Sequence, residues 1–304
     1  MEPTHPASCA RLMRGAGLPA ALLVVIAFLF SPGPVMADIS APERAALLDL
    51  YASTDGDHWV NNAGWGGAAG TECAWFGITC SADGNSVEQL WMTNNNMNGT
   101  LPASLQDLVH LKLLFFGNNL LHGPIPSLAG MTGLQNFGIG SNAMDGPIPD
   151  IGNLSQLGLF DVGNNDLTGP IPDLSGMTSL YQFDASDNHL DGGIPELSTL
   201  AALTSFNVSD NNLSGTLPSL DGLNQLESFY VSDNALSGFP PAVPDPNALV
   251  NGASRLCPNF LFATTSPEWD AATGSSPWYQ DCSNDVIFRD GFDPPATQAA
   301  MPPD

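Results

Sequence analysis

Asp161 and Asp184 lie 23 residues apart, and Asp187, Asp210 and Asp233 repeat at the same interval. Carboxylates gathered at one spacing can hold a divalent cation, bind a cationic group, accept hydrogen bonds from sugar hydroxyls, or share a proton in acid–base catalysis. The catalytic use fails on its chemistry. A retaining glycosidase needs two carboxyl groups about 5 Å apart, one of them in a desolvated pocket that raises its pKa. A file of matching aspartates on an open surface offers no such asymmetry. Asp210-Asn211-Asn212-Leu213-Ser214-Gly215, with Asp221 twelfth in line, imitates a calcium loop, but no helical pattern flanks it. Gly138-Ile139-Gly140 is half a phosphate loop without its third glycine. His58, His110, His122 and His189 are scattered, and neither His-Glu-x-x-His nor Gly-x-Ser-x-Gly occurs. No catalytic residue, metal ligand or cofactor is assigned. Calcium held across strands by the carboxylates stays open as an alternative.

The interval belongs to a pattern that must position these residues. Between Leu90 and Pro240 one order of residue types recurs seven times: apolar, any, apolar, two more, Asn, any, apolar, any, Gly, any, Ile or Leu, Pro. Its cleanest copy is Phe160, Val162, Asn165, Leu167, Gly169, Ile171, Pro172. The asparagines are Asn95, Asn119, Asn142, Asn165, Asn188, Asn211 and Asn234, spaced by 24 once and by 23 thereafter. A fixed period in the twenties with this pattern specifies a leucine-rich-repeat solenoid. Each unit opens with a short strand whose apolar pair, such as Phe183 and Ala185, points inward while its neighbours point outward. Stacking pairs these strands into a parallel sheet on the concave side. The asparagine follows the strand, where its amide can satisfy backbone groups that would otherwise be buried unpaired. Gly-x-Ile-Pro, as at Gly146 to Pro149, then turns the convex side. The expected fold is an α/β solenoid, a horseshoe of about seven repeats of 23 or 24 residues with capped ends.

Outward residues of successive strands stack about 4.8 Å apart. The first column reads Trp91, Phe115, Gly138, Asp161, Asp184, Asn207, Tyr230. The second is Thr93, Gly117, Gly140, Gly163, Ser186, Ser209, Ser232, and the third Asn94, Asn118, Ser141, Asn164, Asp187, Asp210, Asp233. The concave face should therefore open on two aromatics, cross a glycine floor and end in a carboxylate bank closed by Tyr230. Like charges opposed across strands destabilise by up to about 1 kcal/mol per pair. Two readings follow: a site for something cationic or rich in hydroxyls, or a solvated face kept soluble by its charge. Trp91 and Phe115 either stack on a ligand or pack under the amino-terminal cap.

The repeat resembles the plant-type leucine-rich-repeat family of receptor ectodomains and polygalacturonase-inhibiting proteins, over roughly residues 40 to 240. Asp55-Gly56-Asp57-His58-Trp59, Trp65 and Cys73-Ala74-Trp75-Phe76-Gly77-Ile78-Thr79-Cys80 look like that family's amino-terminal cap. Met97 and Met144 replace Leu, Ala185 is small for its site, and the last unit reads Gly238-Phe239-Pro240-Pro241. The resemblance implies ligand recognition without catalysis, and its inhibitor branch allows a cell-wall enzyme as target.

Residues 1–37 read as a secretory signal: Arg11 and Arg14, an apolar run from Leu18 to Phe30, and a small-residue cleavage site at Val35-Met36-Ala37. The run is too short to span a membrane. Cleavage removes Cys9 and leaves four cysteines, an even number in an exported chain. Cys73 with Cys80 would staple one cap and Cys257 with Cys282 the other. Metal binding is the alternative, without histidine or Cys-x-x-Cys spacing to support it. The divisions are 38–86 for the amino-terminal cap, 87–242 for the solenoid, 243–285 for the carboxy-terminal cap and 286–304 for a tail. That tail opens with Val286-Ile287-Phe288-Arg289-Asp290-Gly291-Phe292-Asp293, which looks like short terminal tags of exported bacterial proteins, and is expected to be disordered. With neither the span nor the kinase of plant receptors, the chain fits a secreted bacterial protein on a plant-like scaffold.

The chain carries 6 Lys+Arg against 31 Asp+Glu, a net charge of −25. Nucleic acid and anionic membranes are poor partners for it. Sequons such as Asn98-Gly99-Thr100 and Asn153-Leu154-Ser155 matter only in a glycosylating host. The leading expectation is a secreted, non-enzymatic module that binds a protein, peptide or glycan, cationic in character, through Trp91, Phe115, Asp161, Asp184, Asp187, Asp210, Tyr230 and Asp233. The other is a structural or adhesive envelope protein, calcium-dependent in its association. Neither fixes an oligomeric state.

Overall fold

The computed structural model describes residues 38–280 and Cys282; the expected signal segment and the expected tail lie outside them. The amino-terminal cap begins with helix α1, Ala41–Ser53. Ser40 starts it with a reciprocal capping box: its hydroxyl accepts from the Glu43 N–H at 3.3 Å, while the Glu43 carboxylate accepts from the Ser40 N–H at 3.1 Å. Pro42 suits the first turn. The same buried carboxylate accepts from the Val87 N–H at 3.0 Å and so ties the helix to the first strand of the repeats. Tyr51 of α1 joins Trp59, Trp65 and Trp75 in a continuous aromatic cluster with ring centroids 4.9 to 6.0 Å apart. The Cys73–Cys80 disulfide closes this cap.

Ile78–Cys80 pairs antiparallel with Val87–Trp91, and from there the concave sheet is parallel. Its further strands are Leu113–Phe115, Asn136–Gly138, Leu159–Asp161, Gln182–Asp184, Ser205–Asn207 and Ser228–Tyr230. Each is three residues long because the pattern supplies one inward residue between two outward ones. That inward residue is phenylalanine in five successive coils. Phe137, Phe160, Phe183, Phe206 and Phe229 are fully buried and stack at 5.4 to 5.8 Å, a spine that continues the core from Leu90 and Leu114. Burying a side chain of this size stabilises by about 1.5–3 kcal/mol.

The asparagine ladder works as a backbone splint. Asn165 donates to the carbonyls of Val162 in its own coil and Ile139 in the preceding one, and its Oδ1 accepts from the Met144 N–H at 2.9 Å. Asn142, Asn188, Asn211 and Asn234 repeat this arrangement. The sequence pattern stops the solenoid at residue 242, but the structure carries it one coil further. Asn259 accepts from the Leu236 N–H at 2.9 Å and donates to the Val231 carbonyl, as an eighth rung. Ser254, Arg255 and Leu256 continue the concave sheet through a bridge between Tyr230 and Arg255.

The convex side is a second β surface. Asn98–Gly99, Leu120–Pro124, Ala143–Pro147, Asp166–Pro170 and His189–Asp191 form a parallel sheet, followed by Ser214–Thr216, Ala235–Gly238 and Phe260–Leu261. The expected Gly-x-Ile-Pro turns thus begin inside strands at Gly123, Gly146 and Gly169 and directly after one at Gly192, all with φ near +75°. The helices of this solenoid are confined to its ends and to short 3-10 turns. The second of them, α2 at Pro267–Thr273, lays Trp269 against Phe229 at 6.2 Å and donates its indole N–H to the Pro241 carbonyl. A disulfide joins Cys257 and Cys282.

Candidate functional site

Strand register places the whole first column side by side: Trp91 opposite Phe115, then Gly138, Asp161, Asp184, Asn207 and Tyr230 in order. At the amino-terminal end Trp91 is 53% exposed, so the cap does not cover it. Its ring meets that of Phe115 at 4.7 Å, and its N–H donates to the Thr93 hydroxyl. Phe115 in turn lies down over Gly138, where a Cβ would stand 2.7 Å from the ring. Glycine at 138 therefore leaves room for the Phe115 ring, which is tilted 42° to that of Trp91.

Next come the carboxylates. Asp161 accepts from the Gly163 N–H at 3.1 Å, and Asp184 from the Ser186 N–H at 3.0 Å and the Ser186 hydroxyl at 2.7 Å. Asn207 accepts from Ser209 in the same way. A short acid or amide here pairs the N–H two residues on, which supplies a structural reason for the residue type. Asn207 also donates to Asp184 at 3.2 Å, which ties neighbouring strands within this column. Burial raises the pKa of Asp161 above the usual carboxylate value, the Gly163 N–H opposes the shift, and the charge of Asp184 adds to it. Gly117, Gly138, Gly140 and Gly163 leave a groove of ≈ 320 Å³ between the platform and the acids. A Cβ on Gly140 would come 2.7 Å from the Asp161 carboxylate.

The third column has a different origin from the one its spacing suggests. Asn94, Asn118, Ser141, Asn164, Asp187, Asp210 and Asp233 are not strand residues; each turns the chain in the left-handed region, with φ between 51° and 59°. Asn and Asp are the non-glycine residues that best tolerate that conformation. The backbone thus selects the short polar side chain, and only the choice of acid over amide is left for charge. Asp187, Asp210 and Asp233 are exposed at the edge of the face. They sense one another: burial raises the Asp210 pKa first, the charges of Asp233 and Asp187 raise it further, and Arg255 opposes them.

Arg255 is absent from the expected site. It occupies the column position after Tyr230, 25 residues on, and with Ser209, Asp210, Tyr230, Ser232, Ser254 and Thr273 it lines a second hollow of ≈ 340 Å³. The signal was Leu256 and Asn259 in repeat register behind it. The histidines do not join the face. His58 pairs with Asp55 at 2.7 Å in the cap, and His189 lies 3.8 Å from Asp166 on the convex strands. Among the described residues no three His, Cys, Asp or Glu side chains are grouped to hold a metal ion.

The Leucine Rich Repeat family matches residues 202–222. An inactive leucine-rich repeat receptor-like serine/threonine-protein kinase of Arabidopsis thaliana is 34% identical over 115 residues, which cover 38% of this chain and 16% of that protein. A polygalacturonase inhibitor of Pyrus communis is 30% identical over 116 residues, covering 36% of this chain and 34% of the inhibitor. The solved plant peptide hormone receptor RGFR1 in complex with RGF2 is 34% identical, with a TM-score of 0.53 over 57% of this chain and 28% of the receptor. The chain spans at most about a third of the length of these relatives. The matches support the plant-type leucine-rich-repeat family. All three relatives are plant proteins, and none supports a bacterial source.

Proposed function

From a leucine-rich-repeat solenoid with this concave face, we propose a non-catalytic recognition module that holds an extended peptide or protein segment along the column from Trp91 to Tyr230. The observation that carries the reading is the sequence of surfaces along one register: an aromatic platform, a side-chain-free floor, then half-buried Asp161 and Asp184. A glycine floor admits the main chain of a ligand, and aromatics anchor side chains or cations over their faces. Basic side chains of the ligand lie against Asp161, Asp184, Asp187, Asp210 and Asp233, which makes use of the electrostatic cost of gathering those acids. The named relatives support this class of role, since one is a peptide hormone receptor solved with its partner and another an enzyme inhibitor. Two disulfides fit an exported protein.

The test is a screen of the mature chain against secreted proteins, basic peptides and cell-wall glycans, beside a variant with Asp161, Asp184, Asp187 and Asp210 changed to Asn. A peptide or protein ligand whose affinity the variant lowers by about tenfold or more supports the reading, as loss of several charge contacts should. A ligand bound equally by both proteins moves the site to the convex surface or the caps. A glycan hit lost in the variant keeps the face and replaces the ligand class.

A further inference from the structure

Each coil of the ladder leaves one backbone group for the next coil to satisfy. Seven times in succession, the N–H two residues after a ladder asparagine donates to the Oδ1 of the following asparagine. The series runs from Met97 with Asn119 to Leu236 with Asn259, at 2.9 to 3.0 Å. The equivalent position in the eighth coil is Leu261, which is 1% exposed. Phe260–Leu261 is the last strand of its sheet, and it pairs with Ala235–Gly238 on one side. The Phe262 N–H donates across that side to the Gly238 carbonyl. Neighbouring strand residues turn their N–H groups to opposite sides, so that of Leu261 faces outward. Among the described residues no acceptor meets it. The same edge is apolar: Phe260 is 41% exposed and Phe239 58%, with the Phe262 ring on Phe239 at 4.8 Å. A buried donor on an apolar strand edge calls for a further strand.

The chain itself carries one of the right pattern. Cys282 is bonded to Cys257 with their Cα atoms 5.3 Å apart, close to the roughly 4.8 Å between paired strands. The two cysteines are 25 residues apart, the interval that also separates Asn234 from Asn259. Carried two residues onward, that interval sets Asn284 beside Asn259 and Val286 beside Leu261. Ser283-Asn284-Asp285-Val286 repeats the order of Asp210-Asn211-Asn212-Leu213: a short polar residue, Asn, any, apolar. We infer that residues 283–288 dock on this edge as a ninth strand, with Asn284 accepting from the Leu261 N–H. Val286 then lies inward on Leu261, and Ile287 outward beside Phe262. The occupant is the chain's own segment, because the disulfide holds its start two residues from the rung it completes. A second copy of the chain does not reach that effective concentration. The docked strand closes the free edge at this end and keeps two solenoids from pairing through it. The tail expected from residue 286 begins instead after this strand, and the inference is independent of any ligand on the concave face.

Amide hydrogen exchange of the mature chain tests this, in the wild type, Asn284→Ala, Val286→Asp and Asp290→Asn. In the wild type the Leu261 N–H is expected to exchange slowly, as that of Leu236 does. Asn284→Ala should speed exchange at Leu261 by about tenfold or more, the effect of losing one buried hydrogen bond, while Leu236 keeps its rate. Val286→Asp should act in the same direction, and Asp290→Asn should change neither amide. Leu236 is the internal reference, since its unchanged protection shows that the solenoid of each variant is folded. Exchange at Leu261 in the wild type as fast as in an unfolded chain overturns the inference. Protection that survives Asn284→Ala overturns it too. Where such protection grows with protein concentration, a second copy holds the edge; where it does not, another group of the same chain does. A further reading needs no variant: nuclear Overhauser contacts between the Val286 and Leu261 methyls are expected in the wild type, and their absence overturns the docked strand.

Discussion

Asp161 shows how one position serves backbone, stability and recognition with conflicting demands. Its side chain caps the Gly163 N–H, which an amide oxygen does equally well at Asn207. Its charge is less welcome: burial first, and then Asp184, raises its pKa above the ordinary 3.8. A carboxyl group whose folded-state pKa is raised contributes stability that is full below the unfolded value and lost as pH rises through the folded one. The expected outcome is that Asp161→Asn melts above the wild type at pH 7, and that the gap closes as pH falls below 3.8. Thermal melts of both proteins across pH 3 to 7 check this; a variant no more stable at pH 7 would mean that the charge costs nothing. An acid kept at this cost accords with the proposed recognition of a basic ligand. The sequence displays this residue plainly, because a period of 23 aligns it with Asp184. It cannot display the reason for Asp187, Asp210 and Asp233, whose left-handed turns emerge only with the backbone.

At the scale of the element, the coil is the unit of both legibility and stability. Its strand, ladder asparagine and buried apolar residues can be read from spacing because every coil repeats them against the same neighbours. The eighth coil is hidden by two local changes: its asparagine comes 25 residues after Asn234, and Pro258 stands where the others place Asn, Ser or Asp. The convex strands are hidden for another reason, since proline reads as a strand breaker, yet Pro124, Pro147 and Pro170 sit at strand ends where the requirement for an N–H lapses. The eighth coil and α2 cover the last phenylalanine of the spine, and solenoid units hold one another up by contact with neighbours. Trp269→Ala should therefore cost about 3–5 kcal/mol, as for a large core aromatic, because it uncovers Phe229 and removes the bond to Pro241. Urea unfolding followed by core fluorescence and by circular dichroism measures it. A loss well under 1 kcal/mol would mark residues 243–282 as an appendage rather than a working cap.

At the scale of the whole molecule, the same excess of acid acts on folding and on binding with opposite signs. A net charge of −25 on a solenoid that stacks aspartates in file repels itself, and the folded state concentrates that repulsion more than the extended chain does. Screening lengths shrink from about 30 Å at 0.01 M salt to about 3 Å at 1 M. Added sodium chloride should therefore raise the melting temperature, most steeply at low concentration, as repulsion along Asp161–Asp184 and Asp187–Asp210–Asp233 is screened. Over the same range it should weaken any basic ligand, because attraction to the face is screened with it. The two curves, melting temperature and log affinity against log salt, are expected to run in opposite directions. For the variant with Asp161, Asp184, Asp187 and Asp210 changed to Asn, both slopes should flatten together. If the affinity slope flattens while the stability slope does not, the self-repulsion resides elsewhere, in the acids of the caps and convex strands. If the stability slope alone flattens, the concave acids govern folding and the ligand is held by other groups. Parallel loss of both slopes would tie the electrostatic cost of this fold to the surface that recognises its partner.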